Sequence, residues 1–312
     1  MGSGAKALNN EDDMNQSEMA AKIEQGDGFI AALDQSGGST PKALKGYGIE
    51  DGAWSSDEEM FDLIHQMRSR IITSPSFGSG KVIGAILFER TMDGTVAGKP
   101  TPQALIELGI VPFIKIDKGL ADEANGVQMM KPMPELTGLL ERARQLGVFG
   151  TKERSVINLA NRDGIAAVVA QQLDVAREVL AHDLVPIIEP EVNIKSPERE
   201  AADRILLEEI LRNLDGIPDG QRVMLKLSIP AEANLFAPLI DHPRVLRVVA
   251  LSGGFSREDA CRALAKNPGM IASFSRALLS DLRAQQSDEE FDRTLGTAID
   301  EIYDASVASV SA

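Results

Sequence analysis

The sequence predicts a single (β/α)8 TIM barrel with an extra C-terminal helix. Three observations carry that prediction. Eight short apolar runs alternate with amphipathic segments, no linker or shift in composition divides the chain, and charged residues collect at the carboxyl ends of the runs. A doubly wound sheet is the nearest competitor, but no Gly-x-Gly-x-x-Gly follows any run.

Taken in order, strands are expected over residues 28–34, 81–89, 110–117, 151–158, 184–192, 222–229, 245–252 and 270–275. Each is a short, mostly aliphatic run, the pattern of a strand covered on both faces. Amphipathic segments at 56–72, 134–146, 165–181, 197–214 and 257–265 supply the helices between them, and 291–308 supplies the closing helix. Pro134 and Pro197 stand where a first helical turn tolerates proline, and Gly147 follows the second helix as a cap would.

Composition narrows the function. Of 312 residues 43% are hydrophobic but only 4% aromatic, so aliphatic side chains must fill the core. With 32 basic and 47 acidic residues the net charge is -15, which argues against general electrostatic binding to nucleic acid. An anionic ligand must therefore be held by local positive groups. The one cysteine, Cys261, allows no internal disulfide and fits a reducing compartment as a buried thiol. No stretch approaches a transmembrane span and no charged-then-apolar leader opens the chain, so the expectation is a cytoplasmic protein with no membrane partner. Residues 1–13 read as a flexible, disordered polar extension, and residues 14–312 as one barrel domain. A homo-oligomer is compatible with this sequence.

The sharpest anomaly is Lys226, a lysine inside the apolar run Arg222-Val-Met-Leu-Lys-Leu-Ser-Ile229. Burying an ammonium costs several kcal/mol unless it is paired or loses its proton, and a lysine without its proton is a nucleophile. One such lysine would read as a structural ion pair. Here charged residues recur at strand ends: Asp34 closes the first run, Lys115 and Asp117 the third, and Glu189 and Glu191 the fifth. Lys152 and Arg154 lie in the fourth, Ser252 ends the seventh and Arg276 follows the eighth. Three of these are i, i+2 pairs, whose members share one face of a strand. Facing the lumen, opposite charges can meet, so Lys115, Lys152, Lys226 and the carboxylates are expected in one cavity. That set meets the needs of Schiff-base chemistry: an amine nucleophile, a nearby cation, and carboxyl groups to move protons.

Two turns read as phosphate sites. Ser252-Gly-Gly-Phe-Ser256 joins a strand to a helix beside Ser275-Arg276, and Asp34-Gln-Ser-Gly-Gly-Ser-Thr40 follows the first strand. Two such loops on one rim imply a substrate with a phosphate at each end. Gly78-Ser-Gly-Lys81 lacks the spacing of a nucleotide-binding loop and reads as a plain connection. His65, His182 and His242 fall in a helix, at a helix end and in a loop, without the spacing of zinc ligands. No metal and no cofactor are therefore expected.

From about Asp27 to Ala308 the chain resembles class I (Schiff-base) fructose-bisphosphate aldolase in its short bacterial form. The most specific stretches are Ala32-Leu-Asp-Gln-Ser-Gly-Gly-Ser-Thr-Pro-Lys42, Ile114-Lys-Ile-Asp-Lys-Gly119, Val185-Pro-Ile-Ile-Glu-Pro-Glu191, Leu225-Lys226 and Leu251-Ser-Gly-Gly254. The resemblance implies that Lys226 forms an imine with dihydroxyacetone phosphate. It implies that Glu189 handles protons in imine formation with Glu191 in support, and that Asp34 takes the hydroxyl proton during carbon–carbon cleavage. Lys152 would hold charge beside Lys226, and Arg154 would line the site. Ser252, Gly253 and Arg276 would hold the ketone-side phosphate, and Ser36, Ser39 and Lys115 the aldehyde-side one. Gln35 stands where animal members carry glutamate, and Glu153 where they carry tryptophan. The implied activity is reversible cleavage of fructose 1,6-bisphosphate in glycolysis and gluconeogenesis. The rivals are a Schiff-base aldolase for sedoheptulose 1,7-bisphosphate and a non-catalytic phosphosugar-binding protein.

Overall fold

The structure, a computed structural model, describes residues 14–310, and the extension expected over residues 1–13 lies outside them. Eight parallel strands follow one another round a barrel: β1 (Phe29–Leu33), β2 (Val82–Leu87), β3 (Val111–Lys115), β4 (Gly150–Ile157), β5 (Val185–Val192), β6 (Val223–Ser228), β7 (Val245–Leu251) and β8 (Ile271–Ala272). Each pairs in parallel with the next in chain order. These are the eight runs read from the sequence, with ends moved by a residue or two except in the last.

β8 is short because its edge is shared between two neighbours. Ser273 N–H still reaches the Ala250 carbonyl on β7 at 2.7 Å, and one residue on, the Phe274 carbonyl accepts from Ala32 N–H on β1 at 3.2 Å. That backbone bond crosses the seam of the barrel, and side chains reinforce it. Ser306, on the closing helix Asp288–Val310, accepts from Ala272 N–H at 3.0 Å, and Gln35 Nε2 donates to Ser275 Oγ at 2.5 Å. The closing helix begins earlier than its apolar pattern suggests, at Asp288-Glu-Glu290, where carboxylates suit a helix N-terminus.

Pro134 and Pro197 do not open their helices. They lie in the turns leading into Leu136–Gln145 and Arg199–Leu214, which suit a fixed φ equally well. Gly147 does follow its helix, in the left-handed conformation (φ 80°) that ends one.

A helix with no counterpart in the sequence reading, Gln16–Gln25, closes the amino-terminal end of the barrel. Asn15 and Glu18 form a capping box at its start. Met19 and Ile23 enter the lumen floor, Glu24 pairs with Arg222 at the foot of β6, and Arg247 donates to the Glu24 carbonyl at 2.5 Å.

The apolar interior has two parts, one between strands and outer helices, the other inside the lumen. The lumen floor includes Ala32, Phe113, Ile187 and Met224, with the Phe113 and Phe149 rings edge to face, 5.5 Å between centroids. One pleat repeat further along the same strands stand Asp34, Lys115, Glu189 and Lys226. Period two therefore stacks a charged layer directly on an apolar one, at the carboxyl end of the barrel.

Candidate active site

Lys152 sits at the middle of the charged layer. Its Nζ lies 2.6 Å from Asp34 Oδ2 and 2.9 Å from Glu189 Oε2, while Lys226 Nζ lies 3.2 Å from the other Glu189 oxygen, Oε1. All four side chains are buried. The registers Lys115↔Lys152, Arg154↔Glu189 and Val249↔Lys226 bring five strands, β3 to β7, to this point, and Asp34 enters from the end of β1.

Burial alone would push both carboxyls up and the Lys152 ammonium down. Burial of Asp34 is outweighed by Lys152, then Lys226 and Lys115, which hold its carboxyl well below the usual carboxylate range. Burial of Glu189 is likewise outweighed by Lys152, Lys226 and Arg154, leaving its carboxyl depressed. For Lys152, Asp34 and Glu189 overcome burial and raise the ammonium above the usual lysine range. Lys152 is therefore a fixed cation between two fixed anions, in no position to act as a nucleophile at neutral pH. Lys226 shares one carboxylate and leaves the other to Lys152.

Arg154 and Glu191 form a second pair above this one, Nε to Oε2 at 2.5 Å. Lys115 donates to the Asp117 carboxylate at 2.7 Å and its carbonyl at 2.8 Å. Burial, opposed by Asp117 and aided by Lys152, lowers the Lys115 ammonium from its ordinary value. The ammonium is thus turned onto Asp117, in the charged layer.

The loops expected to bind phosphate flank this layer. Gly253 and Gly254 have φ of 58° and 110°, and Phe255 N–H closes their turn on the Ser252 carbonyl at 2.9 Å. A Cβ on Gly254 would stand 3.4 Å from an Arg276 Nη, so the exposed Arg276 guanidinium lies beside the Ser252-Gly-Gly turn. Across the seam, Ser36 N–H donates to Ser39 Oγ at 2.9 Å, and that hydroxyl returns a bond to the Ser36 carbonyl at 2.7 Å. Gly37 takes φ 53° in this turn, which leads into the helix Ser39–Gly46. Gly-Gly-Ser-Thr-Pro reads as loop, and that helix went unread.

Residues 15–212 match the family model described as glycolytic, fructose-bisphosphate aldolase class-I. The chain belongs to the class I fructose-bisphosphate aldolase family. In fold it is similar to a fructose-bisphosphate aldolase from Plasmodium falciparum, solved in a ternary complex with TRAP and a small-molecule inhibitor. The TM-score is 0.77 at 20% sequence identity, and 94% of each chain is covered.

Within this aldolase barrel, sequence reasoning passed over Arg68. Its side chain is fully buried and donates to Thr91 Oγ1 at 2.7 Å and to the Gln35 carbonyl at 2.5 Å. It anchors the loop that follows Asp34, and burial brings its guanidinium down to about 10. The signal was present: Arg68 shares the buried helix face of Met60, Ile64, Met67 and Ile71. The histidines are scattered as expected, His65 in the helix Asp57–Thr73, His182 at a helix end and His242 in a turn. Among the described residues no three His, Cys, Asp or Glu side chains converge as metal ligands would, and no helix is long and apolar enough to cross a membrane. The half-buried Cys261 thiol is pushed up to about 11 by burial and then Glu301, which fits an unreactive thiol.

Proposed function

We propose that this family member is a metal-independent cytoplasmic aldolase. It would reversibly cleave fructose 1,6-bisphosphate into dihydroxyacetone phosphate and glyceraldehyde 3-phosphate through an imine on Lys226. The observation that carries the reading is the shared use of Glu189. One oxygen lies 2.9 Å from Lys152, a locked cation, and the other 3.2 Å from Lys226. That arrangement separates the lysine that stabilises charge from the lysine that reacts.

On this reading each charged side chain has a step to perform. Lys226 first gives its proton to Glu189, 3.2 Å away, and its freed Nζ attacks the ketone carbon. Glu189 returns that proton to the new oxyanion, takes a second one from the added nitrogen and delivers it to the carbinolamine hydroxyl, so that water leaves and the iminium forms. Asp34, held ionised by Lys152 and Lys226, accepts the proton of the substrate C4 hydroxyl. The C3–C4 bonding pair then moves into the iminium, giving an enamine and releasing the aldehyde. Protonation of the enamine and hydrolysis of the imine free the second product and restore Lys226. Lys152 stabilises the oxyanions along this path, and Glu191 with Arg154 bounds the site above it. Ser252, Gly253 and Arg276 would take the phosphate on the ketone half, and Ser36, Ser39 and Lys115 the other.

Borohydride reduction in the presence of dihydroxyacetone phosphate, followed by mass mapping, tests the reading. A stable adduct on Lys226 is expected. An adduct on another lysine, or none, overturns it.

A further inference from the structure

Glu189 and Lys226 stand on neighbouring strands whose ladder stops short of them. β5 and β6 pair only at Ile187↔Met224 and Ile188↔Leu225, one residue before Glu189 and Lys226. Above that point the strands are joined through side chains. Arg199, at the start of the helix Arg199–Leu214, donates from Nη1 to the Val192 carbonyl at 3.2 Å and from Nη2 to the Ile229 carbonyl at 2.7 Å. One guanidinium thus spans the carboxyl ends of both strands. Asp203, one helical turn on, holds Arg199 Nε at 2.8 Å and accepts from Ala231 N–H at 3.0 Å with the same Oδ2. Ser228 Oγ adds a bond to the Val192 carbonyl at 2.7 Å.

Asp203 is fully buried and the Arg199 side chain only 12% exposed. Buried ion pairs contribute little net stability over apolar side chains of like volume, so their presence calls for a geometric reason. The forked guanidinium supplies one: it reaches two carbonyls at a set spacing, as no aliphatic side chain or single ammonium does.

We propose that Arg199 and Asp203 are a positioning pair that fixes the gap between β5 and β6, and so sets the distance between Lys226 Nζ and Glu189 Oε1. This rests on the imine reading above. Neither residue need touch substrate, and neither lies in the phosphate loops. Their loss should therefore slow imine formation without weakening the hold on a bisphosphate.

The test uses Arg199→Lys, Arg199→Met, Asp203→Asn and Ser228→Ala in the full chain, each first compared with wild type by circular dichroism. Two quantities are measured: the rate of borohydride trapping by dihydroxyacetone phosphate, and the affinity for a hexitol 1,6-bisphosphate, which lacks the ketone and forms no imine. Trapping should fall by about 100-fold in Arg199→Met and by about 10-fold in Arg199→Lys and Asp203→Asn, the scale expected of a small misplacement. Hexitol bisphosphate affinity should stay within about twofold. Ser228→Ala, which removes a single hydroxyl from the same junction, should fold as wild type and slow trapping by a few fold. Unchanged trapping overturns the proposal, as does parallel loss of trapping and affinity, which marks a merely structural strut. Should the larger changes unfold the chain, Ser228→Ala decides: a wild-type trapping rate there overturns it. Wild-type protein that traps on no lysine, or on another one, refutes instead the imine reading beneath it.

Discussion

Lys152 and Glu153 are adjacent in β4 and face opposite sides of it. Lys152 points into the lumen, onto Asp34 and Glu189, whereas strand alternation turns Glu153 toward the outer helices. There the Glu153 side chain is completely buried, and neither carboxyl oxygen has a hydrogen-bond partner among the described residues. Burial, reinforced by Asp117 and Glu189 and only partly offset by Lys152, pushes this carboxyl well above the usual carboxylate range.

The folded chain thus holds Glu153 as a neutral acid, while the unfolded chain ionises it above about pH 4.3. Folding then requires proton uptake, and stability falls by about 1.4 kcal/mol per pH unit from the unfolded value up to the folded one. Glu153→Gln, close in size and always neutral, removes that dependence. The variant should match wild type near pH 4 and exceed it increasingly as pH rises, in thermal or urea unfolding. A gap that stays constant with pH, or a wild type more stable at pH 7, would show an ionised and partnered Glu153.

Lys152 and Lys226 should separate by stability as well as by chemistry. Lys152→Met leaves Asp34 and Glu189 buried without their central cation, a loss of about 3–5 kcal/mol for a broken buried pair. Lys226→Met leaves Glu189 still joined to Lys152, so it should destabilise less while abolishing trapping and cleavage. Both carboxyls are depressed in the fold, so the stability they supply is present above about pH 4 and lost as pH falls through their lowered values. The difference between the two variants in urea unfolding should therefore shrink under strongly acid conditions. Equal losses for both at neutral pH would deny Lys152 its central place.

The barrel was legible because aliphatic runs and amphipathic segments alternate, and its charged layer because Lys226, Lys152 and Glu189 interrupt such runs. Less legible was whatever depends on contacts distant in sequence. The helix Gln16–Gln25 earns its burial only by covering the barrel's end, and Ser39–Gly46 opens with turn residues. Arg68, Arg199 and Asp203 look like ordinary helix charges until burial is known. Lys115 was readable as an inward cation, but its turn onto Asp117 was not, since i, i+2 spacing gives a shared face and no bond. The eighth strand contracted to two residues because the Phe274 carbonyl bonds across to Ala32 on β1.

Metal independence has its own measurement. Of the histidines, His65 Nε2 meets the Thr95 carbonyl at 3.0 Å and His182 Nδ1 the Glu178 carbonyl at 2.8 Å, and none stands with another as a ligand set. Cleavage of fructose 1,6-bisphosphate should survive prolonged EDTA treatment and gain nothing from added zinc. Loss on chelation with recovery on zinc would place the enzyme with aldolases that polarise the ketone by metal.

Arg276 and Lys115 should serve opposite ends of the substrate. Arg276 stands beside the Ser252-Gly-Gly turn after β7, while Lys115 ends β3, where Asp34 is among the charges acting on it. Removing a charged contact to phosphate costs about 1.5–3 kcal/mol, roughly 10- to 150-fold in the specificity constant. Arg276→Ala should weaken fructose 1-phosphate and fructose 1,6-bisphosphate alike, since both carry the ketone-side phosphate. Lys115→Ala should penalise the bisphosphate more. Lys115 holds Asp117 at 2.7 Å, so its reach toward that phosphate competes with this pair. Asp117→Asn, by loosening this hold, should change the bisphosphate constant more than that for fructose 1-phosphate. Equal losses on the two sugars for Lys115→Ala would show instead that Lys115 acts on the reacting centre and leaves the far phosphate to Ser36 and Ser39.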